Sequence, residues 1–216
     1  WPFVTGYGLK AAAIGRNVSV ADAAYDTLMR GAAVNLSNME NLEWLSGQPL
    51  LLDEANPSLI GPVINSKRQL WSVGAYLGMV VENVFGVSLE DKGIGVNPFI
   101  TARLRREAFG KADAISLQRL HLHGKQLEVR IELPPASTAN GYYEVAKVTL
   151  NGAPAGQQIL WDQLKGQNRI SVTLGTLRAG EQAIRRVSAD PYVETPGVFG
   201  PREPAIAAIS RDGGVV

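Results

Sequence analysis

Gly93-Ile94-Gly95-Val96-Asn97-Pro98 is where the hydrophobic period of this 216-residue chain changes. Upstream of it, apolar residues recur at helical spacing; downstream they alternate. Residues 4–15, rich in Gly and Ala, read as a short helix whose small side chains permit close packing against a neighbour. Asn17 or Ser19 is placed to cap a second helix over about 20–36, where Ala24, Leu28, Ala32 and Leu36 recur every four residues. A third helix is expected over about 69–85. It is apolar almost all round, so burial on most sides is expected in a complete domain, with a large apolar face exposed in this chain alone or covered by another chain, and Gly86 stands where a C-terminal cap glycine belongs. Between the second and third helices, residues 37–68 form an irregular segment broken by Gly47, Pro49, Pro57, Gly61 and Pro62. Loops of that length inside a compact domain usually carry function.

Downstream the alternation is explicit. Leu120, Leu122 and Gly124 interleave with His121, His123 and Lys125. Leu127 to Leu133 and Arg169 to Leu174 keep a period of two, as does Tyr143 to Leu150, which runs into the turn pair Asn151-Gly152. β-structure is therefore expected over about 114–175, in the spacing of a β-sandwich. From Ser188 the chain is rich in Pro and Gly and reads as an extended wrap over the surface. There is no internal repeat. The expected class is α+β, with residues 1–90 helical and 91–216 a β-sandwich domain with an extended tail. Three helices, one of them almost wholly apolar, do not complete a domain. The expectation is that they close an all-α domain begun upstream, and Trp1-Pro2-Phe3, with no initiator Met or leader, reads like the end of a larger protein.

Composition sets the partner class. Hydrophobic residues make up 45% of the chain and charged residues 19%, with 21 basic and 20 acidic side chains and a net charge of +1. That is an ordinary globular balance. Its longest basic run, Arg103-Leu104-Arg105-Arg106, is too short to mark a nucleic-acid surface. A neutral ligand suits it better than a polyanion. The absence of Cys excludes disulfides, thiolate nucleophiles and Cys-ligated zinc. No apolar run reaches the ~20 residues of a membrane span. No partner among nucleic acids or membranes is expected, and the setting fits a bacterial cytoplasm or periplasm without choosing between them.

The chemistry-bearing stretch is Glu40-Asn41-Leu42-Glu43-Trp44-Leu45-Ser46-Gly47, followed by Gln69-Leu70-Trp71-Ser72-Val73-Gly74-Ala75-Tyr76-Leu77. It puts a carboxylate in an aromatic-rich, glycine-broken loop ahead of an apolar helix. Aromatic faces stack on pyranose rings and a carboxylate activates water, so this is a way to build a sugar-cleaving site. His121 and His123, two apart in a strand, share a face, but no third ligand has the spacing of a metal site. Asp113 and Asp162 have no evident partner. No phosphate loop or dinucleotide fingerprint is present, and no cofactor or metal is expected.

Trp1 to Tyr7, Glu40 to Gly47, and Leu70-Trp71-Ser72 before a helix together resemble the C-terminal part of an (α/α)6-barrel, or six-hairpin, glycosidase. The resemblance covers about residues 1–87, and its nearest types are glucoamylases, processing α-glucosidases and the amylo-α-1,6-glucosidase part of glycogen-debranching enzymes. In those families a Trp-Pro pair opens a late barrel helix. A catalytic Glu sits seven residues before a Gly, and a Trp-Ser pair opens the final inner helix. Glu40, Asn41, Ser46 and Gly47 match that pattern; the 31 positions from Glu40 to Trp71 are longer than the pattern expects. The resemblance implies the closing helices of an (α/α)6 toroid followed by a β-sandwich. It also implies inverting glycoside hydrolysis, with Glu40 as general base. Glu54, in the added segment, is the alternative base. Trp1, Trp44 and Arg68 are the expected substrate contacts. A carbohydrate is the expected partner, together with an upstream part of the protein or another chain that completes the barrel and supplies the general acid. On that reading the isolated chain is inactive. Two other classes fit the same residues: a non-catalytic carbohydrate-binding or structural fragment, and a phosphorylase or lyase on the same toroid.

Overall fold

The computed structural model of the protein describes residues 1–42, 47 and 66–181. They contain α1 (Pro2–Ile14), α2 (Val18–Asn35) and α3 (Leu70–Gly78), the last continuing as a π-helical turn over Met79–Val84. A short α4 (Ala102–Glu107) follows within the β-region. The strands are β1 (Val87–Glu90), β2 (Gly93–Val96), β3 (Ala114–Leu122), β4 (Lys125–Glu132), β5 (Tyr142–Leu150), β6 (Ala153–Ala155), β7 (Gln158–Leu160) and β8 (Gln167–Arg178). The class is α+β. The three main helices and the strands beyond residue 114 fall where the change of period puts them.

The local causes are visible residue by residue. Asn17 caps α2, its Oδ1 accepting from the Val20 amide at 3.0 Å. Residues Gly15 to Asn17 turn α1 back onto α2, forming an αα-hairpin. Gly6 of α1 sits so close to α3 that a Cβ there would stand 2.9 Å from the Ala75 Cβ, so the small residues do bring two helices together. Phe3 meets Trp71, Gly6 meets Ala75 and Lys10 meets Glu82, so α1 and α3 run parallel. At Asn151-Gly152 both residues have positive φ, 52° and 87°, the geometry of a two-residue hairpin turn joining β5 to β6.

Two sheets form the β-region. β1, β2 and β7 make a three-stranded antiparallel sheet. The larger sheet has the order β3-β4-β8-β5-β6, with β4 and β8 parallel and its other neighbours antiparallel. β4 and β8 lie inside that order and carry the most strictly buried alternation: Leu127, Val129 and Ile131 on one, Ile170, Val172 and Leu174 on the other. Beyond β8, Glu181 returns to the α1–α2 turn, exchanging backbone hydrogen bonds with Arg16 at 2.8 Å and Val18 at 2.9 Å.

The described residues belong to one compact unit with one continuous core. Leu9, Leu28 and Tyr25 of the helices, Ile94 and Val96 of the small sheet, and Ile131 and Ile170 of the large sheet are members of the same buried cluster. Gly86, at φ +71°, closes the π-helical turn. A Cβ at that position would sit 2.0 Å from the Pro98 nitrogen, so glycine is demanded both by φ and by the close approach of the 97–98 backbone.

One expectation needs correction. Leu36 is not part of the buried stripe of α2: it is the C-cap, left-handed at φ 49° and 92% exposed. The chain must turn out of the helix there, and the buried face ends with Gly31. The third helix shows an apolar face in this chain, as expected of it when seen alone. Within α3 only Ser72 is buried, while Leu70, Trp71 and Leu77 are exposed. Burial starts at its π-helical end, with Met79 and Val84, because there the helix enters the shared core. The basic run 103–106 makes internal contacts. Arg105 is buried and donates to the carbonyls of Pro134, Gly110 and Ala112, at 2.8, 2.7 and 3.0 Å, while Arg103 and Arg106 pair with Glu107.

Candidate functional site

α2 is longer than α1, about 27 Å against about 20 Å at 1.5 Å per residue. It therefore carries the chain back to the end of the hairpin where α1 begins. Residues 36–69 leave and return at that end, and their stems are tied together. The Ser37 hydroxyl donates to the Lys67 carbonyl at 2.5 Å, and the Gln69 amide donates to the Asn38 carbonyl at 3.0 Å. Glu40 makes the third tie in both directions. Its amide donates to the Ser66 carbonyl at 2.9 Å, and its Oε2 accepts from the Ser66 amide at 3.1 Å. Glu40 is thus half-buried at the neck of the loop, with one carboxylate oxygen held by the backbone. Asn35 reinforces the neck from the helix side, its amide donating to the carbonyls of Gly31 and Gly47.

The same end of the helical layer carries the aromatics. Trp1 precedes α1 and is 74% exposed; Trp71 opens α3 and is about half exposed. Trp71 stacks on Phe3 with ring centroids 5.5 Å apart and planes at 24°, and Tyr7 meets Phe3 edge-on at 5.0 Å. Trp71 is therefore an accessible aromatic face and not a core residue. Tyr76 packs partly buried against the core, as its helical position suggests. Arg68 is exposed beside the neck. Trp44, Asp53 and Glu54 lie outside the described residues. The structure thus brings Glu40, Trp1 and Trp71 to one end of α1 and α3.

Two features of the helical region were missed in the sequence. One is a cleft of about 220 Å³ between α1 and α3, lined by Phe3, Tyr7 and Trp71 at one end and by Lys10, Glu82 and Asn83 at the other. Lys10 and Glu82 form an ion pair across it. Its only signal was the polar pair Glu82-Asn83 inside an otherwise apolar run. The other is a cavity of about 270 Å³ between α2 and α4, lined by Asp22, Tyr25, Asp26, Met29, Arg103 and Glu107 among others. There the Thr101 hydroxyl donates to Asp22 Oδ1 at 2.5 Å, while its own Oγ1 caps α4 by accepting from the Leu104 amide at 3.0 Å. Burial raises the Asp22 carboxyl above its ordinary value, against the opposing pull of the Thr101 hydrogen bond and Arg103.

That shift has a sign that can be measured. A raised folded-state value means that the native protein holds the Asp22 proton longer than the unfolded chain does. Stability is then lost as pH rises past the ordinary carboxyl value of 3.8, until the folded-state group has also ionised. Asp22→Asn keeps an acceptor for Thr101 and removes the titration. The expected result is a Tm difference in favour of the variant that is small at pH 3 and widens as pH rises through that window. A pH-independent difference, or one that closes, would contradict the assignment.

Among the described residues no cluster of His, Asp and Glu has the arrangement to hold a metal ion. His123 instead stands at the β3–β4 turn with φ 46°, its ring 4.7 Å from that of Trp161. No helix of the described residues is long and apolar enough to cross a membrane. No family model matches the sequence, and a search among curated proteins returned no match.

Proposed function

We propose that this chain is the C-terminal part of an (α/α)6-barrel glycoside hydrolase, with Glu40 as the general base of an inverting reaction. On this reading α1 and α2 form one hairpin of the toroid, α3 is the next inner helix, and the two sheets form the accessory β-sandwich. The observation that carries the proposal is the convergence of Glu40, Trp1 and Trp71 at the end where two parallel helices begin. Parallel neighbours joined through an antiparallel return helix are the repeating geometry of stacked αα-hairpins. The state of the Glu40 carboxylate supports the role. Oε2 is oriented by the Ser66 amide, and Oε1 accepts no hydrogen bond among the described residues. A base needs one oxygen fixed and one open to water.

The exposed apolar side chains of α1 and α3, including Val4, Tyr7, Leu70 and Leu77, support a partner in the form of further hairpins. Those hairpins, from upstream in the same protein or from another chain, supply the general acid. The substrate is a carbohydrate. The acid protonates the leaving oxygen while the Glu40 carboxylate takes a proton from water attacking the opposite face of the anomeric carbon. The Ser66–Glu40 tie also favours a second reading, in which Glu40 is a structural clasp and the chain a non-catalytic carbohydrate-binding part. Proton NMR of the first product released by the complete protein separates the readings. The expected result is hydrolysis in phosphate-free buffer with inverted anomeric configuration. No turnover favours the binding reading, and turnover only with phosphate favours a phosphorylase.

A further inference from the structure

The α1–α3 cleft is lined by a side-chain amide that makes no hydrogen bond among the described residues. Asn83 is 5% exposed and lines the cleft, and its side-chain amide has no hydrogen-bond partner among the described residues; only its backbone carbonyl is used, by the Phe99 amide at 2.8 Å. Its polar atoms are not sealed from solvent, so water entering the cleft reaches them and a ligand there can replace that water. Asn83 lies in the π-helical turn Met79–Val84, and such turns recur at functional sites. The Lys10–Glu82 ion pair adds an ammonium and a carboxylate at the same end, both partly exposed. At the other end stands the Phe3–Trp71 stack. Between them the wall has no side chain at Gly74, where a Cβ would meet nothing within 4 Å.

We propose that this cleft binds one pyranose ring. The polarity runs along its length: flat carbon faces at one end, and donors and acceptors of both charges at the other. A pyranose matches that division, with a C–H face for the aromatic rings and hydroxyls that both donate and accept for Asn83, Glu82 and Lys10. A fully apolar ligand leaves the amide unsatisfied, and an anion meets the Glu82 carboxylate. The cleft, of about 220 Å³, has room for one ring between its aromatic and its polar end. The choice of a sugar over another hydroxylated ring rests on the proposed function. Glu40 does not line the cleft, and the site does not need that residue.

The test is a titration of the full 216-residue chain with glucose, galactose and mannose, each to 100 mM. The readout is the indole N–H signals of its four tryptophans, with Trp71 assigned by Trp71→Phe. At least one sugar is expected to move the Trp71 signal saturably and to leave the Trp161 signal in place. Asn83→Leu is expected to weaken that binding about tenfold, the worth of one buried hydrogen bond of ~1.4 kcal/mol. Gly74→Leu, which fills the trough at a position open to a side chain and favours helix, is expected to abolish it while the other three indole signals stay unmoved. Glu40→Gln is expected to leave it unchanged. Failure of all three sugars to move Trp71 overturns the proposal, as does binding that survives Gly74→Leu. Loss of binding on Glu40→Gln would place the sugar at the neck and also overturn it. Turnover of the complete protein is independent of these outcomes, so an empty cleft with intact hydrolysis removes this site alone.

Discussion

Tyr25→Ala is expected to cost about 3–5 kcal/mol of stability, the usual effect of emptying a buried aromatic site. Tyr25 is among the largest fully buried side chains, at 1% exposure, and its hydroxyl donates to the Phe99 carbonyl at 2.6 Å. That bond joins residues 74 apart in sequence and ties α2 to the segment between β2 and α4. Burial pushes the phenol far above its ordinary value, so it remains a donor throughout the accessible pH range. Tyr25→Phe keeps the ring and leaves one buried carbonyl without its partner, for an expected loss of about 1–2 kcal/mol. Total stabilities are typically ~5–15 kcal/mol, so the alanine variant should sit near the edge of folding while the phenylalanine variant stays folded. Urea unfolding of the three proteins checks both values. A Tyr25→Ala variant within 1 kcal/mol of wild type would mean that the helices and sheets do not share one core through this residue.

How far the sequence anticipates this core depends on the element. The β5 strand and its turn were legible because Tyr143 to Leu150 is rich in β-branched and apolar residues, with alternation on either side of a shift near Lys147, and Asn151-Gly152 is chemically suited to positive φ. β2 was not: Gly93, Ile94, Gly95 and Val96 are all buried, so no polar face exists to show a period of two. The glycines there are required by neighbours that a linear reading does not see; a Cβ on Gly93 would stand 2.0 Å from the Ile159 carbonyl oxygen. β7, which supplies that carbonyl, is three residues long and leaves no periodic signal. α4 was hidden because its six residues hold a basic run, and the buried role of Arg105 depends on carbonyls up to 29 positions away. In the third helix the apolar pattern was visible, but its exposed first half reflects which neighbours it has. Pattern alone does not contain that information.

The candidate site divides in the same way. Glu40 was singled out by its place seven residues before Gly47, a local pattern. Its clasp to Ser66 was not, since it spans the whole loop. Nor was the aromatic pair: only the parallel approach of α1 and α3 sets Trp71 against Phe3 with half its surface exposed. The α1–α3 cleft needed the same approach.

Glu40→Gln in the complete protein is expected to lower turnover by a factor on the order of 10² or more, the usual loss for a positioned general base. The amide is nearly isosteric with the carboxylate. Its oxygen still accepts the Ser66 amide, so the neck, the fold and the affinity for the sugar are expected to survive. What disappears is the capacity of the second oxygen to take a proton from water. The loss should therefore fall on kcat, with KM little changed, as for an interaction made only in the transition state. Glu54, the alternative carboxylate of the same loop, provides the internal comparison. Steady-state turnover of the Glu40→Gln and Glu54→Gln variants, measured side by side in the complete protein, is the most direct test. The account predicts that Glu40→Gln removes activity and Glu54→Gln spares it. Activity that survives Glu40→Gln and is lost in Glu54→Gln would move the base to Glu54, and activity indifferent to both would contradict the hydrolase itself.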